Sequence, residues 1–140
     1  EMAKRIGLDY TFTESPLEMG HPNVVKFDMY DLNHRHVTVV GRSLGGGRIL
    51  VTEINGMGVA ITGDEFTIVV MHKDRPGAIS VVSQILGADN INISGMRVFR
   101  KIKHQDAVML ITTDSVVDDA TIEHIKQQEY MQDVLTFPVL

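Results

Sequence analysis

The 140-residue sequence predicts an α+β protein in two parts: a partial antiparallel β-rich unit over residues 1–64 and a βαββαβ unit over residues 65–140. Three observations carry this expectation. Apolar and polar residues alternate with a period of two through Val25–Tyr30 and Val37–Val40, with turn residues between them. At Phe66 the alternation gives way to a near-continuous apolar run, "FTIVVMH", the pattern of a strand covered on both faces. From there, strand-like and helix-like segments follow as strand, helix, strand, strand, helix, strand.

Taken in order, Glu1–Leu8 reads as the last turns of a helix with Gly7 near its end. A chain that opens inside an element is expected to be a fragment or the product of N-terminal removal. Pro16, Gly20 and Pro22 mark a loop. Val25, Phe27 and Met29 then alternate with Lys26, Asp28 and Tyr30 as a strand with one wet face, and "DLNHR" (31–35) is a turn. Val37–Val40 is a second strand, "SLGGGR" (43–48) a glycine corner, "ILVTEI" (49–54) a third strand, and Val59–Thr62 a fourth after the hairpin signal Asn55-Gly56. The only joint to the second part is Gly63–Glu65, too short for a flexible linker, so the two parts are expected to pack together.

In the second part, Pro76 suits the first position of a helix, where its missing N–H would be unpaired anyway. Ile79, Val82, Ile85 and Leu86 fall on one helical face, and Gly87 is a C-terminal stop. In "INISGMRVFR" the alternation changes phase at Gly95, which implies a bulge. Ala107, Met109 and Ile111 continue as a strand after the turn at Lys103–Asp106. Asp118 or Asp119 caps a helix carrying Ile122 and Ile125. Val134–Val139 is the last strand, at a sheet edge because Pro138 has no donor for a ladder. This order is the ferredoxin-like pattern.

Composition limits the function classes. The chain is 44% hydrophobic and 22% charged with a net charge of −5, a soluble globular balance whose sign does not favour nucleic acid or an anionic membrane surface. No apolar run is long enough to span a bilayer, and the chain does not open on a basic region followed by an apolar one, so no secretion signal is expected. The chain has no cysteine, which excludes disulfides, thiolate metal sites, cysteine-ligated clusters and cysteine nucleophiles within it. A cytoplasmic setting is expected.

The segment "VVMHKDRPGAISVVSQIL" places His72, Asp74 and Arg75 on a corner directly before a helix. A helix N-terminus presents free N–H groups and partial positive charge, and Gly77 would let a carboxylate approach the backbone. Asp74 could accept from an ammonium, and His72 and Arg75 could add donors. An α-amino acid zwitterion needs such a pair of partners. The residues leave a second reading open, in which Asp74 only caps the helix while Pro76 and Gly77 make the turn.

Residues Phe66–Leu140 resemble an ACT domain, the amino-acid sensor module, through Asp-x-Pro-Gly at Asp74–Gly77, Asn92-Ile93 and the βαββαβ order. Serine-sensing ACT domains of phosphoglycerate dehydrogenase carry His-x-Asn-Arg-Pro-Gly in this loop; here it reads His72-Lys73-Asp74-Arg75-Pro76-Gly77, with Asp keeping an acceptor and losing an amide donor. The resemblance implies an effector, L-serine, held at a dimer interface by His72, Asp74, Arg75, Pro76, Gly77, Asn90 and Asn92. The first part, "HPNVVKF" and "GRSLGGGRILVTEINGMGVAITG", resembles the β subunit of bacterial iron–sulfur L-serine dehydratase, with Ser43, Gly45, Gly46, Gly47 and "EING" (53–56) carrying the likeness.

That likeness implies a regulatory and structural portion of an enzyme that converts L-serine to pyruvate and ammonia. Its 4Fe-4S cluster would lie in a catalytic α subunit or α domain, with no cofactor and no catalytic residue in this chain. The family's Gly-Pro-Ser-Ser-Ser-His-Thr segment has no match in these residues. The alternative is the serine-sensing C-terminal region of a D-3-phosphoglycerate dehydrogenase.

The remaining motifs carry less. Arg42, Ser43, Gly45, Gly46, Gly47 and Arg48 could hold an anion or touch a partner subunit, or simply turn a hairpin. No Gly-Lys-Ser/Thr follows, so the corner is not a P-loop. His34 and His36 lack a third close ligand, and Asp114, Asp118 and Asp119 lack the glycine and final glutamate of a calcium loop, so no metal site is expected. Met19, Met29, Met57, Met71, Met96 and Met109 are expected mostly in the core.

Overall fold

Strands β1 (Val24–Tyr30), β2 (His36–Gly45), β3 (Arg48–Ile54) and β4 (Met57–Ile61) form an antiparallel sheet in the order β1-β2-β3-β4. These are the first elements of a computed structural model that describes residues 5–14 and 23–140. The expected loop at Pro16, Gly20 and Pro22, Met19, and the first half of the helix end at Glu1–Leu8 lie outside the described residues. Two turns fix the register. Gly46 and Gly47 have φ of 63° and 78°, and Asn55 and Gly56 have φ of 48° and 72°. Two successive left-handed residues are what a tight hairpin needs to match strand twist. Ile54 therefore pairs with Met57, and β4 begins two residues before the expected Val59. β2 runs on past Val40 to Gly45, because irregularities at Val40/Gly41 and Ser43/Gly45 break its alternation without ending it.

Strands β5 (Phe66–Lys73), β6 (Ile93–Arg100), β7 (Asp106–Thr113) and β8 (Met131–Phe137) form a second antiparallel sheet in the order β6-β7-β5-β8. Helices α1 (Ala78–Ala88) and α2 (Asp119–Lys126) complete the ferredoxin-like βαββαβ unit. One sheet face packs on the helices: Ile68, Val70, Met109 and Ile111 share a core with Val82, Leu86, Ile122 and Ile125. The other face packs on the first sheet: Val69, Met71, Val108 and Leu110 share a core with Val39, Val51, Ile54, Met57, Val59 and Ile61. Both faces of β5 are thus covered, which is why an antiparallel strand reads as a continuous apolar run.

Several expectations are corrected. Helix α1 begins at Ala78, not Pro76. Pro76 and Gly77 are the central pair of a turn closed by the Ala78 N–H donating to the Arg75 carbonyl at 3.3 Å, with Gly77 at φ 91°, as a type II turn requires. The buried face is Ala78, Val82, Ile85 and Leu86, while Ile79 is 47% exposed. Gly87 lies within the helix; the chain leaves it at Asp89 and turns left-handed at Asn90. Asp118 caps α2 by accepting from the Thr121 N–H at 2.7 Å. β8 lies at the sheet edge but ends at Phe137, one residue before Pro138. Val25, Phe27 and Met29 point to the same side as Val37, Val39 and Gly41, yet remain about half exposed on the outer strand, so Met29 is not a core residue.

Gly95 sits at the register shift between Ile93, which pairs with Thr113, and its own partner Thr112. A Cβ there would stand 2.8 Å from Thr112 Oγ1. Gly95→Ala is expected to lower stability by about 1–3 kcal/mol, the usual cost of overpacking. A thermal melt checks this, and an unchanged melting temperature would show that the bulge absorbs the methyl.

Candidate functional site

The corner between β5 and α1 is built by strand register. Lys73 ends β5 opposite Asp106, so the corner at Asp74–Gly77 lies beside the β6–β7 hairpin. His72, on the helix-facing side of β5, is 2% exposed. Its Nδ1 lies 2.8 Å from the Lys73 carbonyl, and its Nε2 is buried with no hydrogen-bond partner. A buried polar atom without a partner is uncommon and points to something that completes it. No side chain caps α1, so its first N–H groups are free of side-chain acceptors. A Cβ on Gly77 would meet nothing within 4 Å, so the backbone there is open to approach.

Asp74 is not a helix cap. Its Oδ2 accepts from Arg100 at 2.8 Å and from the His104 backbone N–H at 2.9 Å, while its own N–H donates to the Gln105 carbonyl at 2.7 Å. The His104 amide first, and then the Arg100 guanidinium, hold the Asp74 carboxyl below its ordinary range. These hairpin partners were missed in the sequence because they lie 26 to 30 residues from Asp74. Only the pairing of the start of β7 with the end of β5 brings them in.

His72, Asp74, Arg75, Pro76 and Gly77 stand together, but Asn90 and Asn92 do not join them. These two precede Ile93, which pairs with Thr113, and Thr113 pairs with Phe66 at the far end of β5. The separation is the length of a strand, roughly 23 Å at 3.3 Å per residue. At that end, Asn92 Nδ2 donates to Asp114 at 2.6 Å.

The glycine corner is a separate feature. Ser43, Gly45, Gly46, Gly47 and Arg48 lie at the exposed end of the first sheet, while Arg42 is half-buried with an unpartnered Nε. His34 and His36 do not converge on a metal: His36 lies 3.3 Å from Asp28 and its ring stacks on Tyr30 at 4.3 Å. Among the described residues no group of three His, Asp or Glu side chains could hold a metal, and no helix is long and apolar enough to cross a membrane.

Residues 66–129 match the family model of the ACT domain, so the second part of this protein carries an ACT domain on its ferredoxin-like fold. Over most of its length the chain is similar to L-serine dehydratase β chains. It is 32% identical over 127 residues to the probable L-serine dehydratase, beta chain, of Bacillus subtilis (strain 168), spanning 91% of this chain and 57% of that protein. It is 32% identical over 127 residues to the L-serine dehydratase, beta chain, of Peptoniphilus asaccharolyticus, spanning 90% and 55%. The chain thus spans about half the length of the curated relatives it matches. It is also 30% identical over 125 residues to D-3-phosphoglycerate dehydrogenase of Bacillus subtilis (strain 168), spanning 89% of this chain and 23% of that protein.

Proposed function

We propose that this chain is the regulatory and structural portion of an L-serine dehydratase. Its ACT domain binds an amino-acid effector, L-serine, and its first sheet forms a platform against a catalytic α subunit or α domain. The carrying observation is the buried, unpartnered Nε2 of His72, at the end of the strand that leads through Asp74 into an uncapped helix start. Together these offer a donor or acceptor, N–H groups for a carboxylate, and Asp74 for an ammonium. The position of Asn90 and Asn92 supports a homodimer: in one chain they lie a strand's length from the corner, and a second copy set antiparallel alongside would bring them to it.

The 4Fe-4S cluster that the dehydratase likeness implies does not fit this chain, which has no cysteine to ligate it. In this reading the cluster belongs to the catalytic partner.

Calorimetric titration with L-serine and other amino acids, with light scattering on the same sample, tests this reading. Saturable binding is expected, with a mass twice the 15.6 kDa of one chain. A monomeric mass at about 100 μM, where even weak specific association is populated, counts against the dimer. Pyruvate release from L-serine by this chain alone would count against a purely regulatory role. The similarity to D-3-phosphoglycerate dehydrogenase supports a second reading, the sensory tail of such an enzyme. An adjoining nicotinamide-binding domain would favour it, and an adjoining cysteine-bearing dehydratase part would favour the first.

A further inference from the structure

The corner is tied to the β6–β7 hairpin through Asp74, by its carboxylate and by its backbone N–H on the Gln105 carbonyl, and the hairpin in turn touches the first sheet. Asp74 Oδ2 receives both the Arg100 guanidinium and the His104 amide. The next residue after Arg100, Lys101, extends over the Asn55-Gly56 turn. A Cβ on Gly56 would stand 2.5 Å from Lys101 Nζ, so only glycine lets the ammonium seat there. The base of the hairpin is held by Lys73 and Gln132 on Asp106, while its tip is open to solvent. Residues Lys101–Gln105 are exposed, and His104 has a left-handed φ of 65°, a conformation that costs a non-glycine residue energy. Behind the hairpin, between it and the first sheet, is an open cleft of about 450 Å³ lined in part by Asn55, Met57, Met71, Lys101, Ile102 and Gln105. The hairpin therefore has room to move.

We propose that Asp74 is a latch with two alternative partners. Without effector it holds the hairpin through Arg100 and the His104 amide. When an effector ammonium reaches the same carboxylate, it displaces Arg100 and the His104 amide from Oδ2, loosens the hairpin tip while the Asp74 N–H stays on the Gln105 carbonyl, and lifts Lys101 from the Asn55-Gly56 turn. The signal thus passes from the ACT domain into the first sheet, the platform that faces the catalytic partner. This rests on the effector reading given above.

The exchange is energetically accessible. The Arg100 side chain is half exposed while Asp74 is 19% exposed, so the pair is partly screened by solvent and an ammonium with a second anchor can compete with it. The effector brings a second anchor, its carboxylate on the α1 N–H groups, which Arg100 does not have. Occupancy of Asp74 by Arg100 reduces apparent effector affinity in proportion to the latched fraction.

The test uses the 140-residue chain, L-serine as the probe, and the variant Arg100→Gln. Calorimetry gives affinity, and amide NMR gives hydrogen exchange at His104 and the resonance position of Gly56. In the unmodified protein, saturating L-serine is expected to speed His104 exchange and shift the Gly56 resonance. Arg100→Gln is expected to bind L-serine roughly two- to fivefold more tightly. Its Gly56 resonance should already lie near the ligand-bound position. Binding that leaves His104 exchange and the Gly56 resonance unmoved, or a variant that binds no more tightly, overturns the latch and leaves the effector site standing. Absence of saturable binding to either protein overturns both.

Discussion

Ile54→Ala is expected to destabilise the protein by about 2–5 kcal/mol, the range for emptying a buried aliphatic site. Ile54 is 0% exposed and ends β3, paired with Val39 on one side and Met57 on the other. It belongs to the core that Val69, Met71, Val108 and Leu110 supply from the second sheet. The cavity would open between the sheets, so both lose stability together. Urea unfolding followed by circular dichroism and by hydrogen exchange in β7 should give coincident transitions at a lowered midpoint. A loss confined to β1–β4, with β7 protected as before, would show that the two sheets fold as independent units.

This shared core explains which parts of the fold were legible. The apolar run of β5 could be read because both of its faces are covered, and Asn55-Gly56 because a tight turn demands left-handed residues. The phase slip at Gly95 marked a bulge that is present. The departures from the expected pattern are local. A Pro-Gly pair suits either a helix start or a type II turn, and at Pro76-Gly77 the turn prevails, so the helix begins later. Ala78, four residues before Val82, takes the place on the buried face expected for Ile79. The far half of β2 was obscured because its bulges break the period on which a strand is recognised.

For the site, the corner residues could be read as a cluster from their spacing, but the partners of Asp74 could not. A carboxylate just before a helix looks like a cap in one dimension. Its choice of Arg100 and the His104 amide follows from strand order, which no local pattern contains. Resemblance alone joins Asn90 and Asn92 to the corner, and a single chain holds them at the opposite end of the sheet.

Asp74→Ala is expected to weaken L-serine binding roughly tenfold to a hundredfold, as for loss of one charge-assisted hydrogen bond. Helix α1 should keep its content, since no side chain caps it, whereas Asp118→Ala should fray α2 by removing the acceptor for Thr121. The pH dependence follows from the lowered Asp74 pKa, set first by the His104 amide and then by Arg100. A carboxyl depressed on folding adds stability that is fully present above its unfolded value and is lost as pH falls through its folded one. Hairpin anchoring and effector binding should therefore both survive through the ordinary carboxylate range and fail together below it. In Asp74→Ala that acid limb should disappear from the hairpin's hydrogen exchange. Calorimetry and exchange on the same variant decide the matter: wild-type L-serine affinity in Asp74→Ala would remove Asp74 from the binding site and leave it only as the hairpin's anchor.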